Sequence, residues 1–154
     1  MKAKDQLPLE LRAVYLALHR RSDMHFVKYG VTADQFVLLA TLARGHALTQ
    51  RELASRMPSD PSTVRAMLVL LEKRGLVTRN THPTDARART VALTHTGLRK
   101  YRQVWQAGQS IRDQMVALLS EEEKKYLVKL LRLVSQSLAD TPFDKVAVKT
   151  QKSK

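Results

Sequence analysis

Two short runs hold the residues best placed to do chemistry in this chain, SDPSTVR at 59–65 and HPTDARART at 82–90. Neither pairs a nucleophile with a base, and no P-loop or GxGxxG run occurs. What both offer is small hydroxyls and fixed positive charge. In the second run Asp85 stands two residues before Arg87 and four before Arg89. A solvated turn needs no such arrangement. A carboxylate beside a guanidinium can preset its direction through a charge-assisted hydrogen bond. An exposed pair adds only about 0–1 kcal/mol of stability, so aiming is the better rationale. The expected chemistry is therefore non-covalent recognition, and the chain is not expected to be an enzyme.

The charge says what would be recognised. Lys and Arg number 27 against 14 Asp and Glu, a net +13, with an isoelectric point near 10.4. The excess is concentrated: residues 44–102 hold twelve Lys/Arg against four Asp/Glu. A basic block within a folded segment is a footprint for polyanions, most often nucleic acid. An anionic membrane surface is the weaker option, because no stretch sets one cationic face against a bulky aromatic one. The 44% apolar fraction suits a packed core in a chain of 154 residues, one domain with two lobes at most. The longest strongly apolar stretch, MLVLL at 67–71, is far too short to span a bilayer. No signal peptide is recognised at the N-terminus. The absence of cysteine excludes disulfides, thiolate zinc sites and thiol redox sensing. A cytoplasmic, nucleoid-associated protein is expected.

The elements that must position the two runs follow from periodicity and caps. Residues 9–28 read as a helix, with Leu11, Val14, Tyr15, Leu18 and Phe26 mostly at three- and four-residue steps and Gly30 as its stop. Thr32 with Gln35 forms a capping box for a second, largely buried helix containing QFVLLATLA. Thr49 with Glu52 opens a short helix. Asp60 caps the next, with Pro61 at its first position, and Gly75 ends it. Residues 76–80 and 89–94 read as two short strands around the HPTDARA turn. Thr94 caps a long helix over 97–119, and SEEE at 120–123 opens the last helix, to about Ala139, with Tyr126, Leu127, Leu130, Leu131, Val134 and Leu138 on one side. Residues 141–154 read as a loose basic tail.

A short helix, a turn, a capped second helix and a two-stranded hairpin describe a winged helix-turn-helix. The fold class is thus mainly α with a small β-hairpin. In that arrangement the second helix enters the major groove with its first residues on base edges. Here these are Ser59, Asp60, Ser62, Thr63 and Arg65. Arginine reaches guanine O6 and N7, and threonine can meet a thymine methyl. Thr49 and Gln50, with free N–H groups at a helix start, suit a phosphate, and Arg79 is placed with them. The plainer alternative is an αα-hairpin in which Ser62 and Thr63 serve only as caps. The hairpin favours the first, since a tip bearing Asp85, Arg87 and Arg89 can reach a narrow A·T-rich minor groove.

The run LTQRELASRM…DPSTVRAMLVLLEKRGLVTRNTHPTDARARTVALTHTG resembles the winged-helix core of the MarR family of bacterial transcription regulators, with LEKRGLVTR and the Asp-x-Arg before VALT its most specific pieces. The resemblance spans roughly residues 7–139. It implies a winged core over 32–96 and a helical dimerisation lobe from 1–31 and 97–140. It implies a homodimer on an inverted-repeat operator, and a repressor released by a small aromatic or anionic ligand. It places Arg87 in the minor groove, beside Asp85. The sequence departs from the family where Ala66, Val69-Leu70, His82 and Ala86 stand in place of more polar or charged residues.

The smaller signals are weaker. His19, His25 and Trp105 are candidates to line a ligand pocket, although core or surface roles suit them as well. The five histidines, at 19, 25, 46, 82 and 95, show no metal spacing, and neither metal nor cofactor is expected. Three function classes stay open: a ligand-responsive dimeric repressor, an architectural or silencing-antagonist DNA binder (or activator) of weak sequence preference, and, with little in its favour, an enzyme or adaptor on the same scaffold.

Overall fold

A computed structural model describes residues 1–45, 47–57 and 59–140. His46 and the 141–154 tail lie outside them. Two units make up the chain, Met1–Arg112 and the residues from Asp113 onward.

Helix α1, Ala3–Phe26, begins well before the expected Leu9 and runs through Pro8. A proline there removes a single helical hydrogen bond, which so long a helix tolerates. A 3-10 turn, Val27–Tyr29, leads to Gly30 at φ 68°, the left-handed conformation that stops the helix. Helix α2, Ala33–Leu42, carries the expected capping box: the Thr32 side chain accepts from the Gln35 N–H, and Gln35 accepts from the Thr32 N–H. Helix α3, Gln50–Arg56, opens on the reciprocal Thr49–Glu52 box. Helix α4, Pro61–Lys73, turns Val64, Met67, Leu68 and Leu71 inward, one stripe at three- and four-residue steps.

The sheet departs from the expected two-stranded hairpin. It has three antiparallel strands, in the order β1-β3-β2: β1 is Leu48–Thr49, β2 Val77–Thr81 and β3 Arg89–Leu93. Strand β1 pairs Leu48 with Val91 and Thr49 with Thr90. Two residues are too few to show a period, so only tertiary pairing reveals this strand. Thr49 thereby both pairs with the wing and caps α3.

The core lies where α2, α3, α4, the sheet and the next helix meet. Leu38, Leu39, Leu53, Leu68, Leu71, Val77, Val91 and Val104 are almost wholly buried, each contributing about 1.5–3 kcal/mol by leaving water.

The expected single helix over 97–119 is instead broken at Gly108, into α5, His95–Ala107, and α6, Gln109–Met115. Gly108 is buried, and a Cβ there would crowd Arg112 Nη1 at 3.2 Å and touch the Phe26 ring at 3.4 Å. The carbonyls freed near the break find side-chain donors. Arg112 Nη1 donates to the Trp105 oxygen at 2.8 Å, and His25 Nε2 lies 2.7 Å from the Ala107 oxygen. Such orphan carbonyls need partners, and here side chains supply them.

Helix α7, Glu121–Asp140, starts on the third capping box, with Ser120 N–H donating to Glu123 Oε2 at 2.8 Å and Glu123 N–H to Ser120 Oγ at 3.2 Å. Its Tyr126, Leu127, Leu130, Leu131 and Leu138 are each at least 40% exposed. Among the described residues no helix is long and apolar enough to cross a membrane.

Candidate nucleic-acid interface

The start of α4 is organised by Asp60. Its Oδ1 accepts the Thr63 N–H at 3.0 Å and its Oδ2 accepts the Thr63 hydroxyl at 2.7 Å. These bonds, the hydroxyl first, hold the Asp60 carboxyl below its ordinary value because they favour the ionised form. Asp60 and Thr63 are thus engaged with each other. Ser62 and Arg65 project from the exposed side of the same turn, and Ser59 is half-buried.

At the wing tip Asp85 does something other than expected. Its Oδ1 accepts the backbone N–H of Arg87 at 3.0 Å, an Asx-turn, and it makes no ion pair with a guanidinium among the described residues. Its carbonyl accepts the Ala88 N–H at 3.1 Å, while the His82 N–H donates to the Ala88 carbonyl at 3.1 Å. His82 Nδ1 accepts the Thr84 N–H at 3.2 Å. A short side chain at a two-residue separation reaches the main chain more readily than the far end of an arginine. The aiming is therefore of backbone, and the exposed Arg87 and Arg89 side chains stand outside it.

The base of the wing is tied to α4. Gly75, at φ 70°, reverses the chain: its N–H bonds the Glu72 carbonyl at 2.9 Å, and the Leu76 N–H the Leu71 carbonyl at 2.9 Å, a Schellman ending. That reversal brings Arg79 back along the last turn of α4. Arg79 Nε and Nη2 donate to the two Glu72 oxygens at 3.1 and 2.9 Å. Arg79 holds the Glu72 carboxyl below its usual range, and Glu72 raises the Arg79 guanidinium. The expected phosphate contact is thus bound to a carboxylate. Nearby, Thr94 donates to the Gly75 carbonyl at 2.6 Å and accepts the Gly97 N–H at 2.9 Å. A Cβ at Gly97 would overlap the Leu76 carbonyl.

At the start of α3, the Thr49 N–H is taken by Glu52 at 2.9 Å and its hydroxyl accepts the Glu52 N–H at 3.0 Å. Thr49 does not offer the free N–H expected of it, and neighbouring Gln50 is half-buried.

The three ligand-pocket candidates each have partners of their own. His19 bridges α1 and α2, with Nε2 3.2 Å from Asp34 Oδ1 and Nδ1 3.5 Å from Asp23 Oδ2. His25 serves the Ala107 carbonyl. Trp105, 45% exposed, stacks at 6.4 Å on Phe36 under the Arg112 guanidinium, 3.9 Å above its ring. A 470 Å³ cavity lies elsewhere, between the end of α1, the start of α2 and the end of α4, and none of the three lines it. One of its walls is Arg74, which donates to the Gly30 carbonyl at 2.6 Å. Among the described residues no three His, Cys, Asp or Glu side chains gather as a metal would require.

Sequence reasoning passed over Glu72, Arg74 and Arg112. The signal for Glu72 was present: an acid and an arginine flanking a left-handed glycine, at separations that a helix-to-strand reversal closes.

The MarR family model matches residues 31–88. The transcriptional repressor MdtR of Bacillus subtilis is 32% identical over 127 residues, 80% of this chain and 82% of its own. The regulator PecS of Dickeya dadantii is 29% identical over 133 residues, 84% of this chain and 80% of its own. Wild-type apo MarR of E. coli has a similar solved structure, with a TM-score of 0.74 at 27% identity, covering 83% of this chain and 96% of that one. A cysteine-to-serine mutant of that protein, solved with operator DNA, also gives 0.74 at 27% identity, covering 83% and 92%.

Proposed function

The chain belongs to the MarR family of winged-helix transcription regulators, which are DNA-binding proteins and not enzymes, and from that premise we propose a sequence-specific homodimeric repressor. One observation carries the proposal. The start of α4, with Ser62 and Arg65, and the wing tip, with Arg87, are both exposed within the one unit Met1–Arg112, one suited to the major groove and the other to the minor. The likeness to an operator-bound MarR supports the same use. Thr63 contributes its methyl group, and Arg89 a phosphate contact.

Dimerisation is assigned to the terminal helices, over 1–31 and 97–140. Leu7, Val14 and Tyr15 on α1, and separately Tyr126, Leu130 and Leu131 on α7, are large apolar side chains left exposed in the single chain, and such faces mark contact surfaces. A two-fold dimer would read an inverted repeat. A small aromatic or anionic effector would lower DNA affinity. The exposed Trp105 with Arg112 over its ring is a surface that such a molecule can meet. The working compartment is the cytoplasm, at the nucleoid.

The test is selection of duplexes from a random pool by the full-length chain, followed by titration of the enriched duplex against a scrambled one. Enrichment of an inverted repeat, bound by a species of twice 17.5 kDa, is the expected result. Equal affinity for the scrambled duplex would replace this proposal with an architectural binder of weak sequence preference. A thermal-shift screen of small aromatic acids tests the effector.

A further inference from the structure

We propose that Glu72 and Arg79 are a pair of positioning residues that set the angle between the recognition helix and the wing, and that Arg79 is not a phosphate contact. The proposal rests on the DNA-binding reading above.

The pair joins the two reading elements at one point. Glu72 lies in the last turn of α4 and Arg79 is the middle residue of β2, opposite Val91 of the central strand. Both oxygens of the carboxylate are met by two nitrogens of one guanidinium, at 3.1 and 2.9 Å. A two-pronged contact fixes direction as well as distance, which a lysine in place of the arginine could not do. The Arg79 side chain is 23% exposed, so part of its surface is withdrawn from any phosphate.

The lever is long. Ser62 and Arg65 lie seven to ten residues up the helix from Glu72, roughly 10–15 Å at 1.5 Å per residue. A tilt of ~10° at the pair would move them by ~2–3 Å, about the length of a hydrogen bond. Arg87 lies at the opposite extreme, beyond the last register pair, Thr81 with Arg89.

The sign of the charge separates this idea from a simpler one. A carboxylate on a DNA-facing lobe repels phosphate, so by electrostatics alone Glu72→Gln should tighten DNA binding. The positioning role requires it to weaken binding to the enriched duplex.

The experiment uses the full chain, the duplex it enriches from a random pool, and a scrambled duplex of equal length, titrated at several salt concentrations, with thermal melts of each variant. Glu72→Gln, Arg79→Gln and Arg79→Lys are each expected to weaken binding to the enriched duplex about tenfold. The double Gln variant should lose no more than either single one. Affinity for the scrambled duplex should hold or rise in Glu72→Gln. The salt slope should stay within a fraction of one unit, and Glu72→Arg with Arg79→Glu should recover part of the loss. Enriched-duplex affinity at or above wild type in Glu72→Gln would overturn the proposal. So would a wild-type Arg79→Lys beside an Arg79→Gln whose slope falls by about one, the mark of a lost phosphate contact. Should Arg79→Gln fail to fold, the milder Arg79→Lys and Glu72→Gln decide the matter. If the wild-type chain enriches no duplex, the sequence-specific reading falls and this proposal with it.

Discussion

The Asp85 carboxylate accepts the backbone N–H of Arg87 at 3.0 Å, so the acid at the wing tip shapes the main chain from which the arginine departs. The guanidinium is left for another partner. Asparagine keeps the Oδ1 acceptor of an Asx-turn and alanine does not. Asp85→Asn is therefore expected to bind the enriched duplex within about twofold of wild type, and Asp85→Ala several-fold more weakly, by gel shift. Arg87→Ala should cost tenfold or more without changing the oligomeric state seen in sedimentation. Had the carboxylate held the guanidinium, Asp85→Asn would lose that charge pair and bind as poorly as Asp85→Ala.

The wing's base has no room at Gly97, where an added Cβ would overlap the Leu76 carbonyl. Backbone atoms cannot swing aside as a side chain can. Gly97→Ala should destabilise the chain by about 1–3 kcal/mol, the range for overpacking, as a lowered melting temperature. An unchanged melt would show that the strand ends yield at this point.

Acid should weaken the lobe through two carboxylates. Asp60 and Glu72 both titrate below their ordinary values of 3.8 and 4.5, the first chiefly through the Thr63 hydroxyl and the second chiefly through Arg79. A group depressed in the folded state lends stability that is present above its unfolded value and is lost as pH falls through its folded one. The melting temperature should therefore be insensitive to these groups above about pH 5 and should fall below about pH 4. Thr63→Val and Glu72→Gln should each flatten that acid limb in a pH series of melts. A limb unchanged in both variants would remove these groups as its cause.

The break between α5 and α6 leaves a spectroscopic handle. Arg112 caps the Trp105 carbonyl and covers the indole ring, and Trp105 is the chain's single tryptophan. Arg112→Ala should shift Trp emission to the red by exposing the ring. It should also cost about 0.5–1 kcal/mol for the cation–π contact, before any loss at the carbonyl. Emission identical to wild type would mean that water already reaches the ring.

Much of this molecule was legible because caps and glycines act locally. Thr32 with Gln35, Thr49 with Glu52, Asp60 with Thr63, and Ser120 with Glu123 each bond within three residues. Gly30 and Gly75 stop their helices through their own φ angles. The inward stripe of α4 likewise follows from the spacing of Val64, Met67, Leu68 and Leu71. These interactions are encoded in adjacent side chains, and a linear reading finds them.

What escaped that reading needs two distant segments at once. Leu48–Thr49 become a strand only because β3 offers them an edge. Arg79 looks like a free cation until the turn at Gly75 lays it against Glu72. His25 looks like a pocket residue until Gly108 opens the helix and frees the Ala107 carbonyl, 82 residues away in sequence. Apart from β1 and the break at Gly108, the elements were thus settled by short-range hydrogen bonding and side-chain period. The partners of Arg79 and His25 were decided by tertiary packing, because a long or rotatable side chain goes to the nearest acceptor in space, and sequence does not state which acceptor that will be.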